Sequence, residues 1–268
     1  GTRSDGSRYP IINFPDVRRL LMLMKSGTEA MRALAYVASA EIDRAHYAPD
    51  EASKACHQAR VDLYTPIVKG WCTELSQELT SHGLQVHGGM GYIEETGSAQ
   101  HFRDARITTI YEGTTAIQAN DMVGRKTLAN NGEVLAALLA EIRETTDKLK
   151  GHDSLTVYGE NLERAVVQAE KACAWVLDNA QEDRYAAGSA SVNYLMLLGY
   201  VCGGGLMGQS LLRATEMLNA GTGEETFLQA KCATARFYFG HFLPRAGACL
   251  AAVEAGSGDI MALDAEAF

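Results

Sequence analysis

The residue in this sequence best suited to proton-transfer chemistry is Glu112, which follows Tyr111 and precedes Gly113. Gly113 leaves space for a ligand beside the carboxylate, and the hydroxyls of Thr114 and Thr115 can cap a helix that begins there. Such a helix would direct the positive end of its dipole towards the same ligand. A carboxylate is an effective general base when it is held in place in a dry pocket. The pattern predicts a candidate base, although a carboxylate at a turn or helix entry is the more common interpretation of these few residues.

A second segment suited to binding chemistry is the glycine cluster Gly88, Gly89 and Gly91, which follows a long helical pattern. Glycines at these positions allow backbone amides to approach a phosphate group without obstruction by side chains. A glycine cluster alone indicates only a turn. The neighbouring His87 is more typical of a solvated or packed side chain than of a catalytic one. The cluster is therefore a candidate phosphate contact that needs support from other parts of the sequence.

That support comes from three linked elements. They are Gln-x-x-Gly-Gly-x-Gly at residues 85–91, Arg-Asp-Ala-Arg-Ile at residues 103–107 and Tyr-Glu-Gly-Thr at residues 111–114. In this order and at this spacing they resemble the acyl-CoA dehydrogenases. The resemblance covers roughly residues 15–125, most of the family's C-terminal helical bundle, and residues from about 130 onward resemble the helical domain appended to larger bacterial members. The N-terminal helical domain and the middle β-domain of the family are not in the sequence, so we expect the C-terminal part of a larger enzyme.

The resemblance implies FAD-dependent α,β-dehydrogenation of an acyl-CoA thioester. Glu112 abstracts the α-proton while the β-hydride goes to the flavin, and the Glu112 backbone amide hydrogen-bonds the thioester carbonyl. Gly113 contacts the substrate. The residues implied to contact FAD are Gln85, Val86, His87, Gly88 and Gly89 for the flavin of a neighbouring subunit, and Thr114, Thr115 and Ala116 for another flavin of the assembly. The resemblance thus implies a homo-oligomer with shared sites and an electron-transferring flavoprotein as acceptor.

Two other classes of function stay open. The same scaffold serves flavin oxidases and flavin monooxygenases, which differ from dehydrogenases in the reaction of the reduced flavin with oxygen; a base at Glu112 favours the dehydrogenase. The other class is a non-catalytic helical assembly fragment, in which the motif survives only as structure. Arg103, Asp104 and Arg106 are expected to form structural ion pairs rather than to take part in chemistry.

Composition and charge restrict the class of protein further. Residues 1–127 carry 14 Lys or Arg and 15 Asp or Glu, whereas residues 128–268 carry 10 and 18, so an anionic nucleic acid is an unsuitable partner. Residues 1–10 lack a charged-then-apolar signal pattern, which favours a cytoplasmic protein. The cysteines contain no Cys-x-x-Cys pair and favour reduced, buried thiols without a metal site; they are Cys56, Cys72, Cys173, Cys202, Cys232 and Cys249.

Apolar residues recur at the spacing of one buried helical face, which predicts an all-α fold. The predicted helices are residues 16–47, 50–82, 99–106, 115–128, 133–149, 159–179, 194–212 and 224–251. Residues 1–129 are predicted to form an antiparallel helical bundle, the incomplete C-terminal domain of the family, and residues 130–268 a second helical domain. Pro66 is expected to bend the second helix and Gly83 to end it.

One apolar segment raises the question of a membrane span. Residues 185–212 contain no Lys, Arg, Asp or Glu, and about 20 apolar residues suffice to cross a bilayer. Asn193, Gln209 and five glycines within or beside the most apolar part suit close packing inside a protein. A buried helix is therefore predicted, with no stable membrane span.

Overall fold

The structure, a computed structural model, describes Gly6 and residues 8–268. The described part of the chain is 79% helical and has no strand, which confirms the all-α prediction. The helices are α1 (Pro15–Tyr47), α2 (Glu51–Val86), α3 (Gly89–Tyr92), α4 (Ser98–Ile107), α5 (Thr115–Gly124), α6 (Glu133–Lys150), α7 (Thr156–Asn179), α8 (Ala186–Asn219), α9 (Glu225–His241) and α10 (Arg245–Glu254). Residues 1–5 and 7 of the predicted first bundle lie outside the described residues.

Local signals explain where the two longest helices of the first half begin. Pro15 occupies the first turn of α1, where its missing N–H costs no hydrogen bond. Asp50 caps α2, because its carboxylate accepts a hydrogen bond of 2.8 Å from the amide of Ser53. Pro66 lies inside α2 without ending it. These two helices pack along each other, and α4 and α5 both pack against α2.

Several predicted helix bounds were wrong. Helix α8 runs from Ala186 to Asn219 and so extends beyond the predicted residues 194–212 at both ends. Gly83 does not end α2, because the backbone amide of His87 still donates to the Gly83 carbonyl and the helix continues to Val86. The helix predicted for residues 115–128 ends at Gly124. The helix predicted for residues 224–251 is broken between α9 and α10, where Pro244 has no N–H to continue the helical ladder.

The two predicted halves share one apolar core. Asn131 and Gly132 take left-handed conformations, with φ of 50° and 72°, and turn the chain from the first half into the second. The cluster of buried apolar side chains nevertheless runs through both halves, and α8 packs against α1, α2 and α5 as well as against its own half. The boundary at residues 129 and 130 stays a prediction.

Helix α8 is the central element of this core. It is the one described helix long and apolar enough to cross a membrane by length and composition, yet 72% of its most apolar window is buried inside the protein. Its glycines bring neighbouring helices close: a Cβ at Gly204 would lie 2.7 Å from Leu243 Cδ1, and a Cβ at Gly205 would lie 3.1 Å from Ile142 Cγ1. The predicted buried helix is therefore observed, and its glycines serve close packing.

The cysteines are all free. Cys173, Cys202 and Cys232 are buried as predicted, but Cys56 is exposed, so the expectation of a buried thiol was wrong there. Burial raises the pKa of Cys202 to about 12, which keeps that thiol protonated and unreactive. The described residues contain no group of three or more His, Cys, Asp or Glu side chains able to hold a metal ion.

A partly buried ion pair joins the two halves. The two Nη atoms of Arg245 donate to the two carboxylate oxygens of Glu78 at 2.6 and 2.7 Å. Burial by itself raises the pKa of Glu78, but the hydrogen bonds and charge of Arg245, aided by His82, outweigh it and leave that pKa below its usual value of 4.5. The ionised pair therefore stabilises the folded chain.

This pair predicts a pH-dependent contribution to stability. Because the folded-state pKa of Glu78 is lowered, its stabilising effect is complete above the unfolded pKa and is lost as the pH falls through the folded pKa. Glu78→Gln should lower the free energy of unfolding by about 1 kcal/mol near neutral pH, a modest value because the pair is partly solvated. Urea unfolding of both proteins from about pH 7 to about pH 3 should show the difference shrinking at the acidic end. Glu254→Gln, an exposed change on the same helix as Arg245, is the control, and a pH-independent difference for Glu78→Gln would contradict the assignment.

Candidate active site

Glu112 lies in the loop between α4 and α5, in an unusual backbone conformation. Its φ is 54° and that of Gly113 is 90°, so two consecutive residues are left-handed. Among the described residues other than glycine, only Glu112 and Asn131 have positive φ. Asparagine tolerates this region, whereas for glutamate it costs about 1 kcal/mol. Such strain persists where the surroundings impose it, and it is common at functional sites.

Three hydrogen bonds impose this conformation. Lys69 Nζ on α2 donates to the carbonyl of Gly113 at 2.5 Å, and Gln118 Nε2 on α5 donates to the carbonyl of Glu112 at 3.2 Å. Thr115 Oγ1 donates to Glu74 Oε1 on α2 at 2.5 Å. Hydrogen bonds to charged groups contribute roughly 1.5–3 kcal/mol each, enough to offset the strain at Glu112. The loop is therefore tied to α2 on one side and to α5 on the other.

The two hydroxyls predicted to cap α5 have different roles. Thr114 is the cap, since its Oγ1 accepts a hydrogen bond of 3.4 Å from the amide of Ile117. Thr115 is buried, and its hydroxyl is used by Glu74. The expectation of a capping role was thus right for Thr114 and wrong for Thr115. Thr114 and Ala116 remain exposed at the positive end of α5.

The carboxylate of Glu112 is exposed, so the dry pocket expected from the sequence is not formed by the described residues. Its surroundings are nonetheless apolar. The large side chains of Ile107, Ile110, Tyr111 and Ile117 are 47–58% exposed around the same loop. The described residues hold the backbone of the Glu112 loop but leave the Glu112 side chain exposed.

The residues predicted to contact the flavin of a neighbouring subunit lie at a different place. Gln85 and Val86 are in the last turn of α2, and His87, Gly88 and Gly89 form the exposed connection to α3. Since Glu74 holds Thr115, the 11 residues from Glu74 to Gln85 separate the two regions by about 16 Å along the helix axis. The structure brings together Glu112, Gly113 and residues 114–116 but not residues 85–89.

The three clustered glycines differ in their surroundings and conformation. Gly88 has φ 62° and ψ −149°, a combination almost confined to glycine. Gly91 is packed, because a Cβ there would overlap the carbonyl of Leu84 and lie 2.8 Å from His87 Cβ. The amides of both donate within the chain, Gly88 to Gln85 at 3.0 Å and Gly91 to Gly88 at 2.9 Å. A Cβ at Gly88 or Gly89 would meet nothing within 4 Å, so open space adjoins both, but only Gly89 lacks the positive φ that would strain a side chain.

Two cavities flank this end of α2. One of about 700 Å³ is lined by Gln85, Phe102 and Arg103 among others, and one of about 480 Å³ includes His87 and Met24. Both volumes fall within the usual range of small-molecule sites, about 300–1,000 Å³. An exposed amide side chain, an open glycine and adjoining cavities fit a nucleotide cofactor.

The charged residues between the two regions are structural. Arg103 forms an ion pair with Glu94 at 3.4 Å, as predicted. Arg106 instead donates to the hydroxyl of Thr109, and Asp104 accepts from Gln100 at 3.3 Å, so the predicted ion pairs were wrong for these two. The ring of His87 hydrogen-bonds the carbonyl of Gly83 at 2.8 Å, a local contact.

Sequence reasoning missed three residues of the site: Lys69, Glu74 and Gln118. Each bonds the Glu112 loop, but none belongs to a recognisable motif. The available signal for Lys69 was weak. It is a half-buried cation in a stretch of α2 that contains the buried residues Pro66 and Gly70, and lysine is seldom buried without a partner.

Comparison with known proteins yields two family models that together cover most of the chain. The model described as "Acyl-CoA dehydrogenase, C-terminal domain" matches residues 2–127, and "Acetyl-CoA dehydrogenase C-terminal like" matches residues 125–264. The chain is 44% identical over 238 residues to the 3-methylmercaptopropionyl-CoA dehydrogenase of Ruegeria pomeroyi, covering 87% of this chain and 40% of that protein. It is 34% identical to a broad-specificity linear acyl-CoA dehydrogenase of Mycobacterium tuberculosis, covering 100% of this chain and 45% of that protein.

The fold has solved counterparts. An acyl-CoA dehydrogenase from Bacillus anthracis, crystallised with FAD, superposes with a TM-score of 0.70 at 20% identity, covering 92% of this chain and 43% of that one. A Caenorhabditis elegans protein solved with C11-CoA gives a TM-score of 0.66 at 22% identity, with 86% and 37% covered. The chain spans less than half the length of each of these four proteins.

Proposed function

The chain belongs to the acyl-CoA dehydrogenase family, and from this we propose that the full-length protein oxidises the acyl group of a coenzyme A thioester at its α,β bond. FAD, when bound, supplies the acceptor for the hydride that leaves the β-carbon. Glu112 takes the α-proton. The observation that supports this assignment is the left-handed backbone conformation of Glu112 just before α5. Three hydrogen bonds to the surrounding loop maintain this conformation.

The chain's own residues then have separate tasks. The Glu112 carboxylate accepts the proton, and its backbone amide donates to the thioester carbonyl, which stabilises the negative charge that develops as the proton leaves. Gly113 allows the substrate to approach: a Cβ there would already lie 3.0 Å from Gln118 Nε2. The exposed N-terminus of α5, at Thr114, adds a positive dipole beside the reacting groups.

Water must be excluded for this chemistry, and we assign that task to the parts of the protein outside this chain together with the bound acyl group. The support is the exposed apolar rim of Ile107, Ile110, Tyr111 and Ile117 around the base. Covering this rim removes apolar surface from water and places Glu112 in surroundings of low dielectric constant, where a carboxylate is a stronger base.

The FAD contacts are proposed at two separate places on the chain. Thr114, Thr115 and Ala116 would contact one flavin near Glu112. Because the Thr115 hydroxyl and amide both donate within the chain, Thr115 would contribute only as an acceptor or by packing. Residues 85–89 would contact a second flavin. A homo-oligomer whose sites are shared between subunits is proposed from the family resemblance, and the separation of about 16 Å along α2 is compatible with it. An electron-transferring flavoprotein is proposed as the acceptor.

Anaerobic titration of the FAD-loaded full-length protein tests the function. Addition of an acyl-CoA should bleach the flavin absorbance, and subsequent admission of oxygen should restore it slowly. Fast reoxidation would favour a flavin oxidase. A flavin that remains oxidised with acyl-CoA substrates of short, medium and long chain would overturn the proposal and favour the non-catalytic assembly fragment.

Gly89 provides a test of the cofactor contacts. Gly89→Ala places a methyl group in open space on the protein, so the fold should be unaffected, but the methyl group would lie where the cofactor approaches. We expect FAD to bind the full-length protein about tenfold more weakly, a loss of about 1.4 kcal/mol. Fluorescence quenching on FAD addition to apoprotein measures the change. Gly124→Ala, another site with nothing within 4 Å, is the matched control; equal affinities for the two variants would remove Gly89 from the cofactor site.

A further inference from the structure

Lys69 makes an unusual contact for a lysine of a helical bundle. Its side chain is half-buried on α2, and its ammonium group donates at 2.5 Å to the carbonyl of Gly113, 44 residues away in the chain. Within the described part of the chain Lys69 forms no ion pair, and its ammonium has no other hydrogen bond. The charge therefore serves one backbone carbonyl in the loop of the proposed base.

The Gly113 carbonyl, to which Lys69 donates, belongs to the peptide unit between Gly113 and Thr114. The peptide unit is rigid, so a hydrogen bond to a carbonyl fixes the plane of the whole unit. Gln118 fixes the unit that follows Glu112, and Lys69 fixes the unit that follows Gly113. Together they immobilise both dihedral angles of Gly113, which would otherwise be the most flexible residue of the loop. The position of the Glu112 Cα, from which the side chain projects, is thereby fixed relative to α2 and α5.

A second contact, between Thr115 and Glu74, also fixes the loop to α2. Glu74, just over one turn beyond Lys69, accepts the hydroxyl of Thr115, and the Thr115 amide donates to the carbonyl of Thr109 at 3.2 Å. The cation of Lys69 binds a carbonyl and the anion of Glu74 binds a hydroxyl, on opposite sides of Thr114. The α5 end of the loop is consequently held by α2 through two contacts, at Gly113 and at Thr115.

We infer that Lys69 is a positioning residue for catalysis: its ammonium group holds the Gly113 carbonyl and thereby sets the placement of the Glu112 carboxylate against the substrate. The effect of Lys69 on catalysis rests on the proposed function, whereas its effect on the conformation of the loop does not. Misplacement of a base by a fraction of an ångström lowers the rate of proton transfer with little effect on substrate affinity. The signature is therefore a loss in kcat at nearly constant KM.

The test combines a structural and a kinetic measurement on Lys69→Met, Lys69→Arg and the control Lys171→Met, an exposed position on α7. Hydrogen exchange followed by mass spectrometry on peptides covering residues 109–118 should show amide exchange about tenfold faster in Lys69→Met. In the FAD-loaded full-length protein, the same variant should lose about tenfold in kcat with KM changed less than about twofold. Lys69→Arg, which keeps a charged donor, should recover most of both, and Lys171→Met should match the unchanged protein.

The outcomes are separable. Unchanged exchange in the loop, or faster exchange with unchanged kcat, overturns the positioning role. If Lys69→Met does not fold, as judged by circular dichroism, Lys69→Gln replaces it in both measurements. If Glu112→Gln leaves turnover intact, the proposed function fails while the exchange measurement still decides whether Lys69 holds the loop.

Discussion

Replacing Glu112 with glutamine in the full-length protein is expected to lower kcat for acyl-CoA oxidation by about 10²- to 10⁴-fold while FAD remains bound. Glutamine has the shape of glutamate and leaves the Glu112 carbonyl free to accept the bond from Gln118, so the loop should keep its conformation. The amide side chain cannot accept a proton from the substrate. Stopped-flow measurement of flavin reduction under anaerobic conditions determines the rate of the chemical step directly.

Two comparisons make this result interpretable. The flavin absorbance per protein should equal that of the unchanged enzyme, which separates a missing base from a missing cofactor. Glu95→Gln, at an exposed glutamate just before α4, should reduce flavin at the original rate. Unchanged reduction by Glu112→Gln would exclude Glu112 as the base.

The second large effect is expected on stability, at the contact between α2 and α8. Trp71 is fully buried, and a Cβ at Gly199 would overlap its Cγ and Cδ1 and lie 2.6 Å from its Cβ. A change of side-chain rotamer cannot relieve a clash with the Trp71 Cβ, which is bonded to the backbone. The two helices must therefore separate if alanine replaces Gly199.

Gly199→Ala should destabilise the chain by about 2 kcal/mol after allowance for the better helix propensity of alanine, which lowers Tm by roughly 4–8 °C. Gly188→Ala on the same helix is the matched control, since a Cβ there meets nothing within 4 Å. The control should be neutral or slightly stabilising. Differential scanning calorimetry of both variants gives the comparison; a Gly199→Ala melting curve that coincides with that of Gly188→Ala would show that the α2–α8 contact is looser than the structure indicates.

The helices were predictable because their signals are local. Apolar periodicity, the proline at the start of α1 and the hydroxyl of Thr114 at the start of α5 act within one or two turns of chain. The same locality explains the errors at Gly83 and Pro244. Glycine inside a helix costs only about 1 kcal/mol, so packing along α2 overrides it. A proline removes one helical hydrogen bond at a larger cost, which α2 tolerates at Pro66 but which coincides with the break between α9 and α10 at Pro244.

The candidate site was predictable in part. Linked motifs identified Glu112 and Gly113, whose conformations are unusual in the structure. The residues that hold them, Lys69 and Glu74, lie about 40 residues earlier on another helix, and no periodicity relates positions so far apart. The exposure of Glu112 was also not predicted. Burial of a loop depends on the protein segments that pack over it, and a short sequence motif does not identify those segments.

The shared core has a consequence for the modularity of this chain. A domain that can be added or removed independently has its own hydrophobic core, and its removal leaves the rest of the protein without newly exposed apolar surface. Here removal of residues from 130 onward would take α8 away and expose the buried ring of Trp71 together with the apolar faces of α1 and α5. The shortened bundle would be prone to aggregate, since large exposed apolar patches promote association. The two halves therefore depend on each other for burial, and a chimera that exchanges one half needs matching substitutions at the glycine contacts of α8.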